Sequence, residues 1–476
     1  MNLIMRQAYY LFFLAGLVIL SSCSSSFDPE VRTGATPQLI DGQPDIRISA
    51  IGFYDDDKPV LDVDTDIIYN SLIYSSDEGI YEAGVGIQIQ VMSVNDNGDG
   101  QLVENHSYSI DVEEDDRSII ESTETINVHN RLDIGPGKYE VIVSVTDKSS
   151  RKTTRLSSNA VIFDRESGSS DLTHIKILGI DSDSARAPFP LTTYDIPGRV
   201  DSLRFQYYIT RPETATADMS INMRLIEFES DTLPPRHMSA VQPSTGSIEY
   251  RGINYNRSEV LEESNRTLRD ESGTILIEYT IPRPVAGNFR FQVMAQTDDN
   301  NFRKARDFSS KSDHYPHIET SREMARPLAY LMGGNDYERL MEINDADSLK
   351  KAIDSFWYSN IENLDKARRV IELYYTRVEE ANKQFSSFKE GWMTDMGMIY
   401  VLFGPPNYVE RSLDNYFWIY GYNRGDARQV FRFHRTRTDS DSHPFSHYIL
   451  LRQRFYHSVE YQKRQEWLSG TILDRL

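Results

Sequence analysis

The side chains best suited to chemistry lie in one run, Gly391-Trp392-Met393-Thr394-Asp395, with Arg377 upstream on a strongly periodic segment. A carboxylate such as Asp395 works as a general acid or base beside a second carboxylate, a histidine or a metal. The local sequence supplies none of these. The spacing suits a tied turn between Gly391 and Gly397 instead. Thr394 and Asp395 can bond nearby backbone N–H groups, and Asp395 can take Arg377 as a charge-assisted partner. Trp392 can wedge between a helix and a sheet with its indole N–H on backbone. A binding or catalytic role for Asp395 is the alternative.

Other constellations fall short of a site. Asn95-Asp96-Asn97-Gly98-Asp99-Gly100 resembles the first half of a calcium loop, but position twelve, which requires Glu, is His106. A polar hairpin turn between Val94 and Gln101 accounts for it more simply. Asp55-Asp56-Asp57 reads as a solvated loop. His434, His443 and His447 lack zinc-site spacing and read as surface histidines. There is no P-loop, no Gly-x-Ser-x-Gly elbow, no His-Glu-x-x-His and no dinucleotide fingerprint. No cofactor or metal is expected, and neither is catalysis.

The one cysteine, Cys23, carries a different chemistry. Arg6 precedes an apolar run from Ala8 to Leu20, which is shorter than the roughly 20 residues a membrane span needs. Leu20-Ser21-Ser22-Cys23 resembles a bacterial lipobox. That resemblance implies cleavage of residues 1–22 and lipid (diacylglycerol and acyl chains such as palmitate) on the Cys23 sulfur. A lone cysteine in an exported chain forms no internal disulfide, and several acyl chains make attachment stable where one would be marginal. Ser24, where an aspartate would suggest inner-membrane retention, favours the outer membrane. An ordinary signal peptide with a chance cysteine is the alternative.

The 476 residues carry a formal charge of -21, unevenly spread. Residues 321–476 hold 22 basic and 22 acidic side chains, so the excess lies in 1–320, with 29 basic against 50 acidic. Such a surface repels phosphate backbones and excludes nucleic acid as a partner. The arginines between 424 and 437 read as interspersed sheet-face charges rather than a basic strip.

The elements that must position the run follow in order. Residues 23–44 are rich in Ser, Thr, Pro and Gly and read as a tether. From 45 to 165 short strands alternate apolar and polar residues (Ile87, Ile89, Val91; Tyr139, Val141, Val143, Val145), the pattern of an antiparallel β-sandwich. A linker at 164–171 precedes a second such unit over 171–312. Gly137-Lys-Tyr-Glu-Val-Ile-Val-Ser-Val145 resembles Gly287-Asn-Phe-Arg-Phe-Gln-Val-Met-Ala295, which points to two related Ig-like sandwiches in tandem. Residues 229–272 read as a polar excursion with a short helix near Glu259.

From 320 to 476 the pattern is α+β. Asp347 can cap a helix bearing Leu349, Ile353 and Phe356. Leu364, Ala367, Ile371, Tyr374, Val378, Ala381 and Phe385 then mark one face of a helix of about six turns. Met398–Phe403 reads as a buried strand stopped by Gly404-Pro405-Pro406. Strands at 416–420, 429–434 and 447–451 and a closing helix at 460–468 complete it.

Phe356-Trp357, Tyr374-Tyr375, Arg377-Val378, Ala381-Asn382, Phe385, the Gly-Trp-x-Thr-Asp run and Gly404-Pro405-Pro406 together resemble the GWxTD-domain family of bacterial envelope proteins. The resemblance covers about 330–455. It departs at Tyr358-Ser-Asn-Ile-Glu-Asn, where the family is Arg-Asp-Pro-rich, and at Met396, where a basic residue often follows the aspartate. The expectation is a non-catalytic outer-membrane lipoprotein, anchored through Cys23, that acts as a scaffold for an envelope protein partner. An enzyme or carbohydrate-binding protein acting on envelope polymers is the alternative.

Overall fold

The computed structural model describes residues 43–475 apart from 56–57, 95–99, 121–124, 165–169, 182–186, 213, 215–216, 242–251, 270, 298–300, 413–414, 422–428 and 437–446. Cys23 with its leader, the tether to 42, the calcium-like half-loop, the centre of the 164–171 linker and His443 lie outside the described residues.

The chain is mostly antiparallel sheet with a C-terminal helical region. Its first unit holds β1 (Ile46–Asp55), β2 (Lys58–Ile68), β3 (Ile80–Val94), β4 (Gly100–Glu114), β5 (Thr125–Asp133), β6 (Gly137–Asp147) and β7 (Thr153–Ile162). Strands β1, β2 and β5 form one sheet, and β4-β3-β6-β7 form another. Period-two alternation turns Val85, Ile87 and Ile89 of β3 and Val141 and Val143 of β6 inward, where they share a core with Ile46, Ile48, Leu61 and Val63.

The second unit holds β8 (Lys176–Ile180), β9 (Ser202–Arg211), β10 (Met219–Ser230), β11 (Ile253–Leu268), β12 (Gly273–Pro282), β13 (Gly287–Gln296) and β14 (Asn301–Ser310). One sheet pairs β8-β9-β12, and the other runs β11-β10-β13-β14. The second order repeats β4-β3-β6-β7 of the first unit, and the resembling runs are the equivalent strands β6 and β13. Phe205 stacks on Phe291 across this core with centroids 3.9 Å apart, and each buried aromatic of this kind contributes about 1.5–3 kcal/mol. The helix expected near Glu259 is absent. Residues 253–268 are a strand, because Ser-Glu-Val-Leu-Glu-Glu extends the β10 ladder through bulges at Leu225/Ile226 and Phe228/Glu229.

The third unit begins with α1 (Ser321–Ala325), whose N-terminus is tied by a Thr320/Glu323 capping box. It continues with α2 (Gly334–Met341), α3 (Ala346–Asn360), α4 (Leu364–Phe385), α5 (Asp395–Phe403), strands β15 (Tyr408–Arg411), β16 (Asn415–Ile419), β17 (Val430–Arg435) and β18 (Tyr448–Leu450), and α6 (Tyr456–Ser469). The cap of α3 is Asp345, two residues before the expected Asp347. On α4 the stripe holds from Ala367 to Phe385, while Leu364 is exposed.

The expected strand at Met398–Phe403 is the helix α5. Its residues from Asp395 to Leu402 are all buried, so the apolar run has no polar face from which a period could be read. Gly404 ends the helix at a positive φ of 82°, and Pro405-Pro406 prevents its return. No helix among the described residues is long and apolar enough to cross a membrane.

Candidate functional site

The Gly391–Asp395 run is a short 3-10 turn over Gly391–Met393 that feeds straight into α5. The close approach explains its glycines. A Cβ on Gly391 would overlap the Ala381 carbonyl oxygen on α4, and one on Gly397 would overlap the Gly391 carbonyl. Thr394 is the N-cap of α5, accepting from Gly397 N at 3.0 Å and donating to the Gly391 carbonyl at 2.8 Å. Thr394 therefore ties the turn from within, while Asp395, expected to bond nearby backbone N–H groups as well, takes Leu450 N instead.

Trp392 is buried among Tyr330, Arg326 and α4. Its ring meets Tyr330 edge-on, and the Arg326 guanidinium lies 5.5 Å from the ring centre. The indole N–H donates to the Glu390 carboxylate at 2.7 Å rather than to backbone, and Glu390 also takes Arg326 at 2.7 Å. The Trp392 amide donates to Asn382 Oδ1 at 3.1 Å.

Asp395 does not pair with Arg377. Its carboxylate accepts two bonds from Arg452, at 2.6 and 2.9 Å, and a third from Leu450 N at 2.7 Å. The pair is nine-tenths buried, with side-chain exposures of 10% and 9%. Standing in the first turn of α5, the carboxylate also meets the positive end of that helix. Both Oδ2 lone pairs and one on Oδ1 thus face fixed donors.

Arg377 stands at the other end of α5. Its guanidinium packs against Gly404, the C-cap, and lies 5.3 Å from the Trp467 ring centre. Burial pushes its pKa down, and Nη1 is enclosed without a hydrogen-bond partner. The negative end of the helix dipole is the compensation its position provides.

Of the histidines, His434 is exposed as expected. His447 is partly buried. It packs on Phe388 at 4.9 Å with Nδ1 3.3 Å from Ser387 Oγ, and burial pushes its pKa down to about 4. Among the described residues no group of three or more His, Cys, Asp or Glu side chains converges to hold a metal.

A cavity of about 500 Å³ lies where all three units meet. Asp66 comes from the first unit, Phe189 and Asp195 from the second, Tyr315 from the join, and Asn382 and Lys383 from α4. Burial pushes the Asp66 carboxyl up to about 6, against bonds from Thr192 and Asn127 that favour its charged form. Asn382 links this cavity to the run: one amide atom holds Trp392 N, while its Nδ2 donates to the Pro316 carbonyl at 3.0 Å and its own carbonyl accepts from Tyr315 at 2.6 Å. The join at 311–316 is thus bound to α4 and does not hang free. Arg452, Glu390 and Asn382 carry the site's geometry without a signal in local sequence. Arg452 reaches Asp395 from 57 residues away.

Residues 292–469 match the model of the GWxTD domain. The match starts inside β13, well before the 330 expected, and so takes in the second half of β13 and all of β14. No curated protein matches the chain. Solved structures with similar parts include a red sea bream transglutaminase at 10% identity, covering 58% of this chain and 32% of that one, with a TM-score of 0.19. Another is the alpha-2-macroglobulin of E. coli, at 10% identity, 58% and 16% coverage and a TM-score of 0.19. The chain therefore spans about a third or less of these proteins' lengths.

Proposed function

We propose that this protein is a lipid-anchored scaffold of the bacterial envelope: two tandem Ig-like β-sandwiches and an α+β GWxTD unit, tethered at Cys23 to the outer membrane, that bind another envelope protein without catalysis. The observation that supports it best is the state of Asp395. Three fixed donors occupy the carboxylate, and its side chain is only 9% exposed. A general acid or base needs a lone pair or proton facing substrate. The units are also welded by buried polar bonds, Asn288 Nδ2 to the Phe388 carbonyl and Lys311 Nζ to the Ser387 carbonyl, which suits a body that holds partners at fixed spacing. Fold alone assigns no role.

Affinity capture of the membrane-anchored protein tests this, with Asp395→Asn alongside. A protein partner should co-purify with both. Loss of a measurable envelope-polymer cleavage on Asp395→Asn, with no partner captured, would sink the scaffold. Cys23→Ser should leave the protein uncleaved or soluble, and a mutant that still fractionates with outer membrane refutes the anchor.

One observation favours carbohydrate binding as the second reading. The three-unit cavity combines aromatic walls with carboxylate, amide and ammonium groups, and its volume suits a small ligand. The exposed aromatic platform such binding uses on a sheet face is missing, since no large aromatic on described strands of the first two units is exposed. Equilibrium dialysis with labelled peptidoglycan fragments decides it; no retention above the Tyr315→Ala variant ends that reading.

A further inference from the structure

β10 leaves the second unit at Ser230, and the chain that follows, Asp231-Thr-Leu-Pro-Pro-Arg-His-Met238, lies against the third unit. Pro234 and Pro235 have no N–H and bias the chain to extended conformations, so at this pair the segment offers carbonyls alone. The third unit supplies matching donors. Lys389 Nζ donates to the Leu233 carbonyl at 2.9 Å and to Asp231 at 3.1 Å, with only 6% of either ion-paired side chain exposed. Arg452 donates to the carbonyls of Arg236 and His237, each at 3.2 Å. The backbone donor Met238 N gives to Glu460 at 3.1 Å, and Glu460 also meets His237 Nδ1 at 2.7 Å. Met238 itself is fully buried and belongs to the hydrophobic core of the third unit.

Main-chain reading by charged side chains, combined with one apolar anchor in a pocket, is how peptide-binding modules take extended ligands. The Arg452 Nη2 that reaches the Arg236 carbonyl also meets Asp395 at 2.6 Å.

We propose that the GWxTD unit carries a peptide-docking groove, closed in cis by residues 231–241, that takes an extended partner segment with an acidic residue, a Pro-Pro pair and a methionine-sized anchor. This rests on the interaction-module reading and names the chemistry of its partner. The acid meets Lys389, the carbonyls after the prolines meet Arg452, and the anchor fills the Met238 pocket. A partner segment binds by displacing the arm.

The test uses the full soluble chain and a fluorescein-labelled peptide of residues 229–241. Met238→Asp keeps the arm out of the groove, so this variant should bind the peptide in trans at least tenfold more tightly than the native chain, whose own arm competes. A peptide carrying Met238→Asp should not bind. Equal binding by both chains, or binding by neither while the variant melts cooperatively, overturns the groove. If Met238→Asp fails to fold, hydrogen exchange on Arg452→Met decides. Its Met238 amide should exchange at least tenfold faster than in the native chain while the α4 amides hold, and a uniform or absent change overturns the proposal. Trans binding is independent of partner capture, so the groove and the scaffold can fail separately.

Discussion

Asp395 and Arg377, the two charges that local sequence pairs, stand at opposite ends of α5, one in its first turn against Arg452 and the other beside its Gly404 cap. A nine-residue helix separates them by about 13 Å. Each charge matches the sign of the dipole at its end, so one buried helix is stabilised twice without an ion pair between the two groups.

Their substitutions should therefore add. Asp395→Asn leaves Arg452 buried without a counter-charge and should cost about 3 kcal/mol. Arg377→Met exchanges a cation without a carboxylate partner for an apolar side chain of similar reach and should cost about 1 kcal/mol or less. Urea unfolding of the singles and the double should agree with the sum within about 0.5 kcal/mol. A coupling above 1 kcal/mol would mean that the two groups interact after all.

The glycines make a sharper contrast. Gly391→Ala and Gly397→Ala each drive a methyl into a backbone carbonyl, which backbone cannot yield cheaply, and each should cost about 3 kcal/mol or more. Gly334→Ala, at the first position of α2 with open space around the added carbon, should be neutral or stabilise by about 0.5 kcal/mol. Thermal melts of the three variants check this; equal losses at all three would contradict the packing argument.

What was legible in the sequence was local periodicity. Strands such as β3, β6 and β9 and the six-turn stripe of α4 have one dry face and one less buried, and alternation or 3.6-residue spacing exposes that directly. Helix α5 was illegible for the opposite reason, since a helix wrapped on all sides has no period to show. Strand β11 was mistaken for loop and helix because both its faces are largely exposed, so Ser258 to Glu263 shows no apolar alternation. Within the site, Thr394 was readable as a side chain that ties the turn, but not as a helix cap. Arg452 and Asn382 were not, because their partners come together only through tertiary packing.

Trp392→Ala should destabilise the third unit by about 3–5 kcal/mol, the usual cost of emptying a large aromatic site. The loss includes the edge-on contact with Tyr330 and leaves Glu390 with Arg326 alone. Trp392→Phe should recover most of the packing but not the indole bond to Glu390, and so fall between. A Trp392→Ala protein with native stability that no longer captures its partner would move the tryptophan from core to binding surface.

The seam between the first two units should weaken as pH rises. His129 hydrogen-bonds Asp64, which raises its pKa, and Asp62, Arg131 and Lys176 surround it. A raised value in the folded state means stability that is fully present below the unfolded value, near 6.5, and lost as pH climbs through the folded one. Asp66, pushed by burial up to about 6 where Thr192 of the second unit meets it, carries the same sign. Its contribution is present below pH 3.8 and lost through pH 6. Both groups therefore favour the closed seam at pH 5 over pH 8. Hydrogen exchange on β2 and β5 should be slower at pH 5 after correction for the intrinsic rate. The double variant Asp66→Asn, His129→Gln should flatten most of that difference, because neither replacement titrates. A native protein with equal corrected protection at the two pH values, or a double variant that keeps the full difference, would show that the seam does not bind these protons.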